Sequence, residues 1–183
     1  MLPKFTGTLP DDAPALERAL NESLERFFGL QTKVVTVTSP SPQQLEISAT
    51  VSELETAITQ IAKGEAKKQG VALEEVRLNF RQLGPRALEV EGNVRAKKMV
   101  FTTTVRITGR LEITEQLTAT ISNLNCTGEG AIGSMACAFI SPRLGKLNGQ
   151  SLLLTSLVNS EGPLRDVRLS ADEKLTISAE FAA

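Results

Sequence analysis

From Leu73 to Asn125 the chain alternates apolar and polar residues with a strand-like period of about two. Val76, Leu78 and Phe80 alternate with Arg77 and Asn79. After Gly84-Pro85, a turn signal, Leu88, Val90, Val94 and Ala96 alternate with Glu89, Glu91 and Arg95. Phe101, Val105, Ile107, Leu111 and Ile113 then alternate with Thr102, Thr104, Arg106, Arg110 and Glu112. Leu117, Ala119 and Ile121 alternate with Thr118, Thr120 and Ser122. The pattern predicts consecutive strands, each with one apolar and one polar face. The short connections between them force antiparallel pairing, and the clean alternation puts one sheet face in water.

Elsewhere the period changes to that of a helix. Leu16, Leu20, Leu24, Phe27 and Phe28 form one stripe over residues 14–28, behind Asp11, Asp12 and Pro14 and ahead of Gly29. Core packing is the expected role of Phe27 and Phe28, ahead of a membrane-dipping tip. KVVTVTS and QLEISAT flank a Pro-rich SPSPQ turn and predict a hairpin. A second helix is expected over 52–69, with Ser52 and Glu55 at capping-box spacing and Lys67, Lys68 and Gly70 at its end. A third fits 132–147, with a broad apolar stripe and Pro142 placed to kink or split it. Strands over 151–158, 164–170 and 174–181 close the chain. There is no internal repeat or linker, and the expectation is one α+β domain over residues 1–183.

Composition narrows the chemistry. The chain of 183 residues has no His, no Trp and no Tyr. Without His, the Ser–His–Asp and Cys–His nucleophile systems are closed, and the usual general base and the commonest nitrogen ligand for metals are missing. No catalytic residue, metal site or cofactor is expected. A net charge of −1 and seven Phe as the only aromatics give no footprint for nucleic acid. Cys126 and Cys137 match neither CxxC nor a zinc knuckle. They read as two buried thiols, with a strand-to-helix disulfide as the alternative. No stretch reaches the roughly 20 apolar residues of a membrane span, and MLPKFTGTLPDD carries no apolar signal-peptide core. The expected location is therefore cytoplasmic or peripheral to a membrane, with a removed leader as the alternative.

Gly128-Glu-Gly130-Ala-Ile-Gly133 is a literal GxGxxG after a strand and before a helix, the arrangement that brings a pyrophosphate to a helix N-terminus. The preceding TATISNL is amphipathic, unlike a buried parallel strand. Leu152-Leu153-Leu154 also occupies the region where a ribose-binding acid belongs. A tight glycine-rich turn is the preferred reading, with nucleotide binding kept as an alternative. Arg77, Arg95, Arg106 and Arg110 fall on polar-face positions, with Lys97 and Lys98 in a turn. They could meet anionic headgroups, but interleaved Glu89, Glu91 and Glu112 favour a solvated face.

The stretches VRLNF, PRALEVEGNVRAK, VRITGRLEITEQLTATISNLNCTGEG, AIGSMACAFISPRLGKLNG and LRDVRLSADEKLTISAEF resemble, in element order and patterning, the bacterial LmeA-like family of phospholipid-binding proteins. These in turn are similar to tubular lipid-binding (TULIP-type) domains. The resemblance covers more than half of the chain and includes no catalytic signature. It implies a strongly curved antiparallel sheet of about eight strands wrapped around a long helix, with two further helices. It also implies work at the cell envelope and a cleft for lipid tails between helix and sheet. Phe101, Val105, Ile107, Phe139, Ile140 and Leu144 are the expected cleft residues, and Arg95, Lys97 and Lys98 the expected headgroup or membrane contacts. The expected partner is a lipid or another apolar small molecule, with peripheral membrane contact and no nucleic acid. The alternative is an interaction or scaffold protein whose core is filled.

Overall fold

The structure, a computed structural model, describes residues 11–156 and 163–182. Among the described residues, three helices and nine strands follow one another as α1 (Ala13–Phe28), β1 (Thr36–Ser41), β2 (Gln44–Thr50), α2 (Val51–Lys68), β3 (Ala72–Gly84), β4 (Ala87–Lys98), β5 (Phe101–Ile113), β6 (Thr118–Gly128), α3 (Gly130–Leu147), β7 (Ser151–Leu153), β8 (Leu164–Ala171) and β9 (Lys174–Phe181). A short 3-10 turn, Leu154–Ser156, follows β7. Residues 157 and 158 of the expected strand 151–158, and most of the turn after it, lie outside the described residues.

The α+β class and the antiparallel pairing are as the pattern predicts. The single wrapped sheet is not: the strands divide into a four-stranded sheet, β1-β2-β9-β8, and a five-stranded sheet, β3-β4-β5-β6-β7, and neither closes into a barrel. The division is made by β9, which pairs with β2 from Gln44↔Glu180 to Thr50↔Lys174. Alternation tells each strand which face to bury, but not which distant strand it will join.

The five-stranded sheet is a meander. β4 and β5 pair without a break from Ala87↔Glu112 to Lys98↔Phe101. That register puts Leu88, Val90, Gly92, Val94 and Ala96 on the same face as Leu111, Gly109, Ile107, Val105 and Thr103. Between β5 and β6 the register shifts beside Gly109, where Asn123 takes a positive φ of 54°. A Cβ on Gly109 would come within 2.7 Å of the Leu124 side chain. The bulge therefore keeps Leu124 over a position that has no side chain.

The main core forms where the two sheets meet. Leu88, Ile113 and Leu117 from one side pack with Val37, Leu45, Leu164, Val167, Leu169 and Phe181 from the other, and Ala13 of α1 joins them. Gln82 ties the sheets through its side chain, donating to the Leu169 carbonyl at 2.7 Å and accepting from the Ala171 N–H at 3.1 Å. A second cluster, Leu30, Val34, Ala49 and Ala57, sits between α1 and α2 with Leu24, Leu54 and Ile61 against it. Phe27 and Phe28 do not join it: both are exposed, so the expected core role fails at the last turn of α1. The cap of α2 also lies earlier than expected. Thr50 and Glu53 form the capping box, while Glu55 accepts the Leu78 N–H of β3 at 2.8 Å. Pro142 stands inside α3 without dividing it.

Candidate functional site

The apolar face of the five-stranded sheet is covered unevenly. At one end the small sheet closes over Leu88. Along the flanks, α2 packs on β3, and α3 packs on β6 and β5. Between these covers lie Leu78, Phe80, Val90, Val94 and Ile107, all apolar and all only half-buried. Gly92 lies in the middle of this strip, where an added Cβ would meet the Leu78 side chain at 3.6 Å. The result is a strip of apolar side chains and backbone along β4 that is neither fully buried nor fully exposed.

The expected cleft residues separate on the structure. Val105 is buried and Ile107 half-buried on the sheet face, while Ile140 and Leu144 lie on the half-buried side of α3. Phe139 does not line an enclosed cleft: it is 70% exposed. Phe101, 60% exposed, stands at the tip of the β4–β5 hairpin. Helical periodicity marks a broad stripe on α3, but two of its large members, Met135 and Phe139, remain in water.

α3 is held to β6 by two features that leave little room. The first is the glycine-rich turn. A Cβ on Gly128 would lie 2.1 Å from the Gly133 carbonyl carbon and oxygen, and one on Gly133 would lie 2.6 Å from the Gly128 carbonyl carbon. Thr103 is buried beside them and donates to the Glu129 carbonyl at 2.9 Å. Gly128 and Gly133 thus serve close strand-to-helix packing, with each occupying the space that a side chain on the other would need. The second is a disulfide between Cys126 and Cys137, with Cα atoms 5.5 Å apart. The reading of two free buried thiols is therefore corrected. The cysteines share one strand end and the second turn of the helix that doubles back on it.

The polar face is paired rather than cationic. Arg106 bonds Glu91 and Arg81 bonds Glu89. Arg77 meets Glu75 at 2.6 Å, Arg95 meets Glu74 at 3.1 Å, and Arg110 meets Glu112 at 3.0 Å. Hydrogen bonds from Asn93 and then Arg106 hold the Glu91 carboxyl below its ordinary pKa. Of the expected headgroup contacts, Arg95 is therefore engaged, whereas Lys97 and Lys98 are exposed and make no ion pair among the described residues. They immediately precede the tip residues Met99 and Val100, which the alternation does not single out. A signal was nevertheless present in the sequence: two large apolar residues occupy a two-residue turn where Asn or Gly is usual.

A depression of about 480 Å³ lies where the sheets meet, lined in part by Arg86, Glu112, Asp166 and Arg168. Asp166 accepts from Arg86 at 2.6 Å and from Arg168 at 2.8 Å. The Arg168 bond is the main reason its carboxyl titrates below its ordinary value, with Arg86 adding to the effect against partial burial. This cluster is a clasp between sheets, since Arg86 and Asp166 lie 80 residues apart in sequence. Among the described residues no group of His, Cys, Asp and Glu is placed to hold a metal. Among the same residues, no helix is long and apolar enough to cross a membrane.

Comparisons with family models, with curated proteins and with solved structures give no match.

Proposed function

We propose that the protein binds a lipid through its acyl chain, laid along the apolar strip between α2 and α3. The observation that carries this reading is the half-buried strip Leu78, Phe80, Val90, Val94 and Ile107, on a sheet face that the small sheet covers at one end and that α2 and α3 cover along the flanks. An apolar face left partly in water forgoes about 25 cal/mol for every Å² it could bury. An aliphatic chain recovers that energy without directional partners, and the strip has few to offer: its residues are Val, Leu, Ile, Phe and Gly. The family resemblance points the same way. The disulfide suits a compartment in which such bonds persist, and we place the protein's work there rather than in a reducing cytoplasm.

The test is native mass spectrometry of the purified protein, with extraction and identification of any bound lipid, followed by reloading with a long-chain fatty acid. The expected result is retention of roughly one chain per protein, at about 0.8 kcal/mol per buried CH₂, and weakened retention in Gly92→Leu, which fills part of the strip. A stripped protein that takes up no chain would overturn the reading.

A further inference from the structure

We infer that the β4–β5 hairpin tip is a membrane-docking wedge that enters an anionic bilayer surface. β4 ends at Lys98 and β5 begins at Phe101, so Met99 and Val100 form a two-residue turn. They are among the most exposed large apolar side chains described, at 84% and 81%. Phe101 beside them is 60% exposed. Folding does not account for this choice. Met99 adopts a φ of 56°, a left-handed conformation in which an L side chain is strained and Gly or Asn is the usual occupant. The chain thus accepts both backbone strain and exposed apolar surface at one point, and departures of that kind cluster at functional sites.

The surrounding charge fits an anionic surface. Lys97 and Lys98 form a collar just behind the tip. The register Ala72↔Lys97 brings the start of β3, which closely follows the end of α2, to the same end of the sheet. Lys67 in the last turn of α2 is exposed there and, like Lys97 and Lys98, makes no ion pair among the described residues. The nearby acids Glu65, Glu74 and Glu75 are taken up by Lys68, Arg95 and Arg77, which leaves Glu129 at the start of α3 as the opposing carboxylate. α3 begins at this end too, since the Glu129 N–H bonds the Thr104 carbonyl at 3.0 Å. Apolar side chains at the apex with unpaired lysines just behind them match the depth profile of a bilayer interface, apolar inside and anionic at the headgroups. A second protein would need a larger apolar area than one turn provides.

The inference does not require the strip to hold a lipid, and its test is separate. Full-length protein is mixed with phosphatidylcholine vesicles, with and without about one-third phosphatidylglycerol, and bound protein is measured by flotation. Binding to the anionic vesicles is expected to fall with added salt. It should drop about thirtyfold in the Lys97→Gln/Lys98→Gln variant, at roughly fivefold per lysine, and at least tenfold in Met99→Gly/Val100→Ser. The glycine suits the turn, so that second variant keeps its fold and its uptake of fatty acid while losing the vesicles. Because the chain has no Trp, Val100→Trp supplies a single reporter whose emission should shift to the blue on anionic vesicles. Overturning results are indifference of the wild type to anionic vesicles, unchanged binding in both variants, a reporter that stays in water, or sedimentation showing a dimer that Met99→Gly/Val100→Ser dissolves.

Discussion

Where β3 turns into β4, Leu88 is fully enclosed between two sheets. At the other end of the same strand, Met99 and Val100 stand almost wholly in water. Both ends belong to one unbroken ladder with one apolar face. The difference lies in what was brought over that face. At the Leu88 end, β8 and β9 arrive from the end of the chain and close a core. At the hairpin end only the flanks are held, by α2 on β3 and by α3 on β5 and β6. Alternation therefore determines which side of a strand is apolar, while coverage is a separate event that depends on distant segments. A sheet closed at one end and open at the other is stabilised at the first and free to meet a ligand or a surface at the second.

The largest test of this contrast is Leu88→Ala. It should cost about 3–5 kcal/mol, the range for a leucine removed from a filled core, whereas Val100→Ala should stay within about 0.5 kcal/mol. Urea denaturation of both variants checks it, and similar costs at the two ends would break the comparison. Reducing Cys126–Cys137, which closes a short loop across 11 positions, should cost about 3 kcal/mol. Alkylation and mass spectrometry before and after reductant would report the bond, and thermal melts its effect. Gly133→Ala should cost about 2 kcal/mol, because its Cβ meets backbone that cannot rotate away. Its melting temperature beside that of Gly145→Ala, where an added Cβ meets nothing within 4 Å, separates close packing from helix propensity.

The smallest effect is electrostatic and belongs to the closed end. Asp166 titrates below its ordinary value of 3.8 when folded. Its contribution is therefore present above the unfolded pKa and is lost as pH falls below about 4 toward the folded value. Asp166→Asn should cost about 1 kcal/mol at neutral pH, a modest figure because Arg168 is largely solvated. The variant should also lose part of the stability drop between pH 4 and pH 2. Denaturation midpoints of both proteins across that range would show it, and parallel acid profiles would break the link.

Much of the candidate site was legible in order but not in place. The pattern of Val76 to Ile121 located each strand and its apolar side, because those follow from a local period of two. Val105 and Ile107 lie on the apolar face that this period predicts. Phe101 and Phe139 are as apolar as the residues beside them yet remain exposed, because hydrophobicity does not report which of several apolar residues finds a neighbour. Arg95 was grouped with Lys97 and Lys98 by charge, whereas Glu74, across a register shift between β3 and β4, takes it out of the group. The strand before the glycine-rich turn pairs antiparallel with β5, as its alternation predicts. The reason for its glycines is contact between Gly128 and Gly133 themselves, which only the tertiary fold brings about.

The sequence by itself determined the class of the protein, its antiparallel meander, the extent of its helices to within a residue or two, and the absence of any His-dependent chemistry. These are properties of neighbouring residues and of composition. The tertiary structure decided that the strands form two sheets rather than one, that the two cysteines meet, and that each polar-face arginine has a carboxylate. It also decided that one end of an otherwise uniform apolar face stays open. Each of these depends on contacts between residues far apart in the chain, whose partners are chosen by the packing of the whole molecule and carry no local mark.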